Sequence, residues 1–105
     1  MVVSAVVSAA LTALCIGAPH AASAQTTAPN LGRDLAANCA PCHGTNGHAI
    51  GGMTSLAGRP RDALVRALRD FREGRRPATV MQQLARGYTH AQIEALSDFL
   101  SRQKP

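Results

Sequence analysis

Tryptophan is absent from this chain of 105 residues, which holds only one tyrosine and two phenylalanines. So few aromatics leave almost nothing on which a nucleobase could stack. The excess of eleven Lys and Arg over six Asp and Glu is therefore not in itself a nucleic-acid signature. No stretch alternates apolar and polar residues as a half-buried strand does. There is no glycine-rich phosphate cradle, no paired-carboxylate cleft and no Ser/His/Asp set, which removes the common phosphoryl-transfer and hydrolytic chemistries. Cysteine occurs three times, at Cys15, Cys39 and Cys42.

The first 24 residues carry no Asp, Glu, Lys or Arg. Val2 to Ile16 are apolar or small, and Ala22-Ser23-Ala24 offers an A-x-A cleavage site, so residues 1–24 resemble a secretory signal peptide. The run is short for a membrane span of about 20 residues, although an uncleaved N-terminal anchor is the competing reading. The start departs from the usual pattern, because Met1-Val2-Val3 lacks a basic residue; an upstream true start would account for that. Leu14 before Cys15 fits a lipoprotein cleavage site poorly, so Cys15 is expected to be lost with the signal. The remainder then holds Cys39 and Cys42 alone, and the whole net charge of +5. Export places it in the periplasm.

Those two cysteines stand in Cys39-Ala40-Pro41-Cys42-His43, the spacing of c-type haem attachment. Two thiols add across the haem vinyl groups, and the adjacent imidazole of His43 is held beneath the iron as proximal ligand. Two rival readings share the spacing. A zinc half-site wants a second Cys or His pair. A thiol-disulfide oxidoreductase would use Cys39 and Cys42 directly, but the chain has no tryptophan before the motif and no βαβ pattern. A domain this short is near the limit at which apolar side chains alone make a stable core. A haem would serve as core as well as redox centre, and the polypeptide without it is expected to fold poorly.

Three segments show helical spacing, which makes the chain all-α. The first helix runs from about Leu31 to Asn38, after a flexible leader at residues 25–30. The second begins near Pro60, sets Leu64, Leu68 and Phe71 on one face with Arg61, Arg66, Arg69 and Arg72 on the other, and stops by Gly74. The third opens on Thr89 and Gln92 in capping-box spacing and buries Ile93, Leu96, Phe99 and Leu100. A packed electron carrier takes a second axial ligand. Met53 follows His43 by ten residues, and an extended reach of about 33 Å does not exclude it. Met81, between the second and third helices, is better placed. His48 and His90 are alternatives expected to face solvent.

From Leu31 onward the order of helix, CxxCH, Gly-rich loop, helix, Met segment and helix resembles the small bacterial class I cytochromes c. The stretch Cys-Ala-Pro-Cys-His-Gly-Thr-Asn-Gly, with Thr79-Val80-Met81 and Ala85-Arg86-Gly87-Tyr88, is similar to the cytochrome subunit family of flavocytochrome c sulfide dehydrogenases. The resemblance implies a class I fold over residues 31–105, one covalent haem c on Cys39 and Cys42, and axial ligands His43 and Met81. It implies a Gly-Pro after the clamp whose proline carbonyl accepts from the proximal imidazole; Gly51-Gly52 stands in the matching place. It also implies that Gly32 marks a close crossing of the first and last helices, where a cap or leader glycine is the plainer account.

Electron transfer then needs no further catalytic group, because a His/Met pair leaves no open position at the iron and the thioether raises the potential. The partner implied is an FAD-containing flavoprotein that oxidises sulfide. A free periplasmic shuttle serving an oxidase or other dehydrogenase competes with it, and a haem sensor or peroxidase would need an open distal side. Arginine-rich faces are usually just solvated; the alternative is electrostatic docking to an acidic partner, for which Arg75-Arg76 beside Met81 is the first place to look.

Overall fold

Thr89 Oγ1 accepts from the Gln92 N–H at 3.2 Å, and Gln92 Oε1 accepts from the Thr89 N–H at 2.8 Å. This reciprocal pair satisfies two donors that a helix start otherwise leaves orphaned. The chain continues as the last helix, His90–Ser101, and buries Ile93, Leu96 and Leu100 to 1% exposure or less. In this computed structural model residues 28–105 are described. The signal reading of residues 1–24, Cys15 and the first half of the 25–30 leader lie outside the described residues.

In chain order the helices are α1 (Leu31–Ala37), α2 (Ala40–His43), α3 (Arg61–Arg72), α4 (Met81–Ala85) and α5 (His90–Ser101), with a 3-10 turn at Thr45–Gly47. Among the described residues there is no strand, and no helix is long and apolar enough to cross a membrane. The three helices expected from periodicity are present. Pro60 caps α3 from outside its first turn. At the far end Gly74 takes the left-handed φ of 75° and returns its N–H to Phe71 O at 3.2 Å, the glycine stop the spacing anticipates. Leu64 is buried and Leu68 and Phe71 half-buried, but Val65 is buried with them. The one-turn helices α2 and α4 are too short to show any period.

α5 packs against both α1 and α3, α3 packs against α4, and the 3-10 turn packs against α1 and α2. The core joins these halves: Ala36 of α1, Leu64 of α3, and Leu96 and Leu100 of α5 form one buried cluster, with Leu35, Cys39, Leu56, Leu68 and Phe99 against it. Gly32 makes the first contact possible. A Cβ there would stand 2.4 Å from Ala95 O and 2.9 Å from Phe99 Cβ. It is a crossing residue, and the N-cap position belongs to Asn30, whose side chain makes no capping bond.

The arginine face of α3 is not simply solvated. Arg61 and Arg69 both reach Glu94 on α5, and Arg72 Nε donates to Tyr88 O at 2.9 Å. The heads of these arginines thus find partners on α5 and just before it, Arg69 through Nη2 while its Nε is buried without a partner. Only Arg66 of the four behaves as a plain surface charge.

Gly32→Ala should gain about 1 kcal/mol of helix propensity and lose more to overpacking, about 1–3 kcal/mol. The melting temperature should fall by several degrees, at roughly 4–8 °C per kcal/mol for a domain of this size. A rise on thermal unfolding would mean that the crossing is not tight.

Candidate functional site

The Cys39 carbonyl accepts from the Cys42 N–H at 3.3 Å and from the His43 N–H at 2.8 Å, so the motif winds into the single turn α2. Pro41 falls in its first turn, where an N–H would have no partner to lose. Positions i, i+3 and i+4 share a helix face, so Cys39, Cys42 and His43 are presented together. Gly44 ends the turn at φ 78°. A Cβ there would sit 1.8 Å from His48 O, which restricts the position to glycine.

The next segment returns beneath the clamp. Gly47 O accepts from the N–H groups of Leu56 and Ala57 at 2.8 and 3.2 Å, closing a loop whose returning arm includes Thr54. His43 Nδ1 lies 2.7 Å from Thr54 O. A carbonyl only accepts, so Nδ1 carries the proton and Nε2 keeps the lone pair that a metal needs. The acceptor is thus Thr54 and not Gly51-Gly52, as the resemblance had led us to expect. Those glycines form the exposed loop tip at φ 68° and 85°, with nothing within 4 Å of either added Cβ. Proline, fixed near φ −65°, could not adopt that backbone. Because the acceptor is a main-chain oxygen, no residue type at position 54 announced it.

Met53 adjoins Thr54, whose carbonyl meets His43 Nδ1, and is 49% exposed. Met81 is half-buried at the start of α4, on the half of the molecule built by α3. His90 is exposed, with Nε2 3.4 Å from Arg72 Nη1. His48 is also exposed by area, yet both its ring nitrogens face carbonyl oxygens.

A cytochrome c family model matches residues 29–104. The chain belongs to the cytochrome c family. It is 37% identical over 68 residues to the cytochrome subunit of sulfide dehydrogenase of Chlorobaculum tepidum, covering 65% of this chain and 62% of that one. It is 39% identical over 72 residues to the thiosulfate dehydrogenase electron acceptor of Thiomonas intermedia, covering 67% and 33%. With cytochrome c-552 of Acidithiobacillus ferridurans it shares 35% over 63 residues, 60% and 27% of the two chains. This cytochrome therefore spans under two thirds of the length of each of these relatives.

The cofactor of the family is covalent haem c, and the residues fit it. Two thiols and an imidazole with its Nε2 unengaged share one helical face, and half-buried Leu35, Leu56 and Leu68 pack, as Cys39 does, against the same apolar cluster. The rival chemistries fit less well. Burial, and then the neighbouring Cys42, push the Cys39 thiol above its usual range, the opposite of what an attacking redox thiol requires. Among the described residues no three His, Cys, Asp or Glu side chains gather as a metal cage, so the second half of a zinc site is missing.

Charge in this cytochrome is distributed unevenly. Each of its six carboxylates meets an arginine: Asp34 with Arg33, Asp62 with Arg61, Asp70 and Glu73 with Arg75, Glu94 with Arg61 and Arg69, and Asp98 with Arg102. Arg75, expected to serve in docking, is spent on two acids. Arg76 is not: it lies 4.9 Å over the Phe71 ring. Arg76 and Arg86 thus bracket α4 in sequence without a carboxylate partner, and between them Val80 and Leu84 are 54% and 50% exposed.

Proposed function

We propose that this cytochrome is an exported one-electron carrier that accepts electrons from a sulfide-oxidising, FAD-containing flavoprotein. The observation that carries the reading is the CxxCH turn with the His43 ring oriented by Thr54 O. In this reading Cys39 and Cys42 hold the haem covalently, His43 Nε2 is the proximal ligand and Met81 the distal one. When bound, the haem supplies a one-electron iron couple. The residues would do the rest: the tied His43 imidazole and the Met81 thioether would hold the iron from both sides, leaving no place for a substrate and little to rearrange. Met53 is disfavoured because its neighbour Thr54 stands behind the proximal ring.

The partner is supported by the names of the relatives, a sulfide dehydrogenase cytochrome subunit and a thiosulfate dehydrogenase electron acceptor, and by the uncompensated Arg76 and Arg86 on either side of an apolar strip. Such a face suits an acidic-rimmed redox protein. Export to the periplasm is supported by the character of residues 2–16 and the Ala22-Ser23-Ala24 site. A free shuttle is the second reading, favoured by the likeness to a cytochrome c-552.

Protein matured in a host with haem-attachment machinery should keep its haem on denaturing gels, seen by peroxidase staining. Cys39→Ala or Cys42→Ala should leave a single, unstable linkage. An unstained wild-type band would end the covalent assignment. The oxidised protein should also show the weak near-infrared charge-transfer band of iron–thioether bonding, lost in Met81→Ala and kept in Met53→Leu; the reverse pattern would move the ligand to Met53.

Reduction by a sulfide-oxidising flavoprotein partner should slow as salt rises, since screening shortens from about 30 Å at 0.01 M to about 10 Å at 0.1 M. Arg76→Glu with Arg86→Glu should slow it by about tenfold or more at low salt. Arg33→Glu with Arg102→Glu, the same change in net charge along α1 and α5, should do much less. Equal effects would mean that overall charge rather than the α4 face steers docking. A wild type that neither co-purifies with the flavoprotein nor accepts its electrons would leave the free shuttle.

A further inference from the structure

The loop that supplies Thr54 O is held at its ends and loose at its tip. Gly47 O gathers the N–H groups of Leu56 and Ala57. Gly58 N–H donates to Leu100 O at 3.0 Å, and a Cβ on Gly58 would lie 2.7 Å from Pro105 Cγ and 3.1 Å from Gln103 O. The neck of the loop is thereby seated on the last turn of α5 and on the residues just beyond it. The tip, Ile50 to Met53, is exposed throughout, with Ile50 at 85%. Thr54 falls between the two regimes, one residue from the tip and one from Ser55.

Two side chains bridge that interval. Ser55 Oγ accepts from the Ala49 N–H at 3.1 Å across the loop. His48, the preceding residue, reaches out of the loop: Nε2 lies 2.7 Å from Lys104 O, and Nδ1 lies 3.2 Å from Thr45 O. The shorter contact requires a proton on Nε2, because the carbonyl can only accept. Two hydrogen bonds joined by covalent steps therefore run from Lys104 O to His48, and from the adjoining Ala49 N–H to Ser55, the residue bonded to Thr54, whose carbonyl holds His43 Nδ1.

We infer that His48 is a positioning residue for the axial imidazole: it buckles the 47–58 loop to the chain beyond α5, and that buckle holds Thr54 O where it orients His43. The inference rests on the reading of His43 as proximal ligand. A firm Nδ1–H···O bond raises the donor strength of Nε2, which favours the more positive state of a bound iron. Loosening the buckle should therefore raise the reduction potential without altering which residues ligate.

The test uses the full-length haem-loaded protein, comparing wild type with His48→Phe, His48→Gln and Ser55→Ala. Three quantities are read: exchange of the His43 Nδ1 proton by NMR in the reduced state, exchange of the Leu96 amide as a gauge of global opening, and the midpoint potential. His48→Phe should speed Nδ1 exchange by about tenfold, the size of effect that losing one hydrogen bond produces, leave Leu96 behind, and raise the potential. His48→Gln offers an amide donor to Lys104 O and should recover both values toward wild type. Ser55→Ala cuts the second link within the loop and should act in the same direction as His48→Phe, which keeps the test open if that variant folds poorly. The buckle is refuted if Nδ1 and Leu96 exchange rise together, if the potential does not move, or if Gln rescues nothing. Failure of the ligand reading looks different: the wild type itself would show no His43 ring signals shifted by an adjacent haem, and the inference would fall with it.

Discussion

Leu96 and Leu100 bind the two halves of this cytochrome into one body. Each is 1% exposed, in a cluster that draws Ala36 from the helix leading into the clamp and Leu64 from the helix leading toward Met81. With so little aromatic volume in the chain, aliphatic side chains make up the fully buried part of that junction. The remaining features answer to this contact. Gly32 lets α1 approach α5 closely, the capping box sets where α5 starts, and Gly58 with His48 fastens the loop below the clamp to where α5 ends. The proposed axial ligands enter from different halves, so the geometry between them depends on how firmly α5 holds both.

Electrostatics reinforces the same seam before it reaches any partner. Glu94 receives two arginines of α3, and Arg72 ties the end of α3 to the carbonyl preceding Thr89. These groups are partly exposed, so each pair contributes modestly to stability. Their larger consequence is subtraction. With every side-chain carboxylate engaged, the field of the surface comes largely from the cations left over, and two of these bracket the exposed apolar side chains of α4. A face that is apolar in the middle and positive at its rim arises from pairing elsewhere in the molecule.

Legibility in the sequence followed element length and side-chain chemistry. The long helices were readable because ten or more residues display a period, and α5 was readable to its first residue because Thr89 and Gln92 have side chains that do the capping. The clamp was readable because thiols and imidazole at fixed spacing have few other uses. What escaped was short or belonged to the main chain: the single turn α2, the single turn α4, and the Thr54 carbonyl that takes the place assigned to Gly51-Gly52. The second role of His48 escaped too, since an isolated histidine carries no mark of the distant carbonyl it meets.

The residues by themselves determined the all-α class, the family and the covalent chemistry, because periodicity, capping and thiol spacing are local properties written in neighbouring side chains. Only the tertiary structure decided which arginines remain uncompensated, why position 32 excludes a Cβ, and which oxygen orients the proposed axial ring. Each of these depends on segments far apart in the chain meeting within a few ångströms, and a distance of that kind leaves no trace in either segment alone.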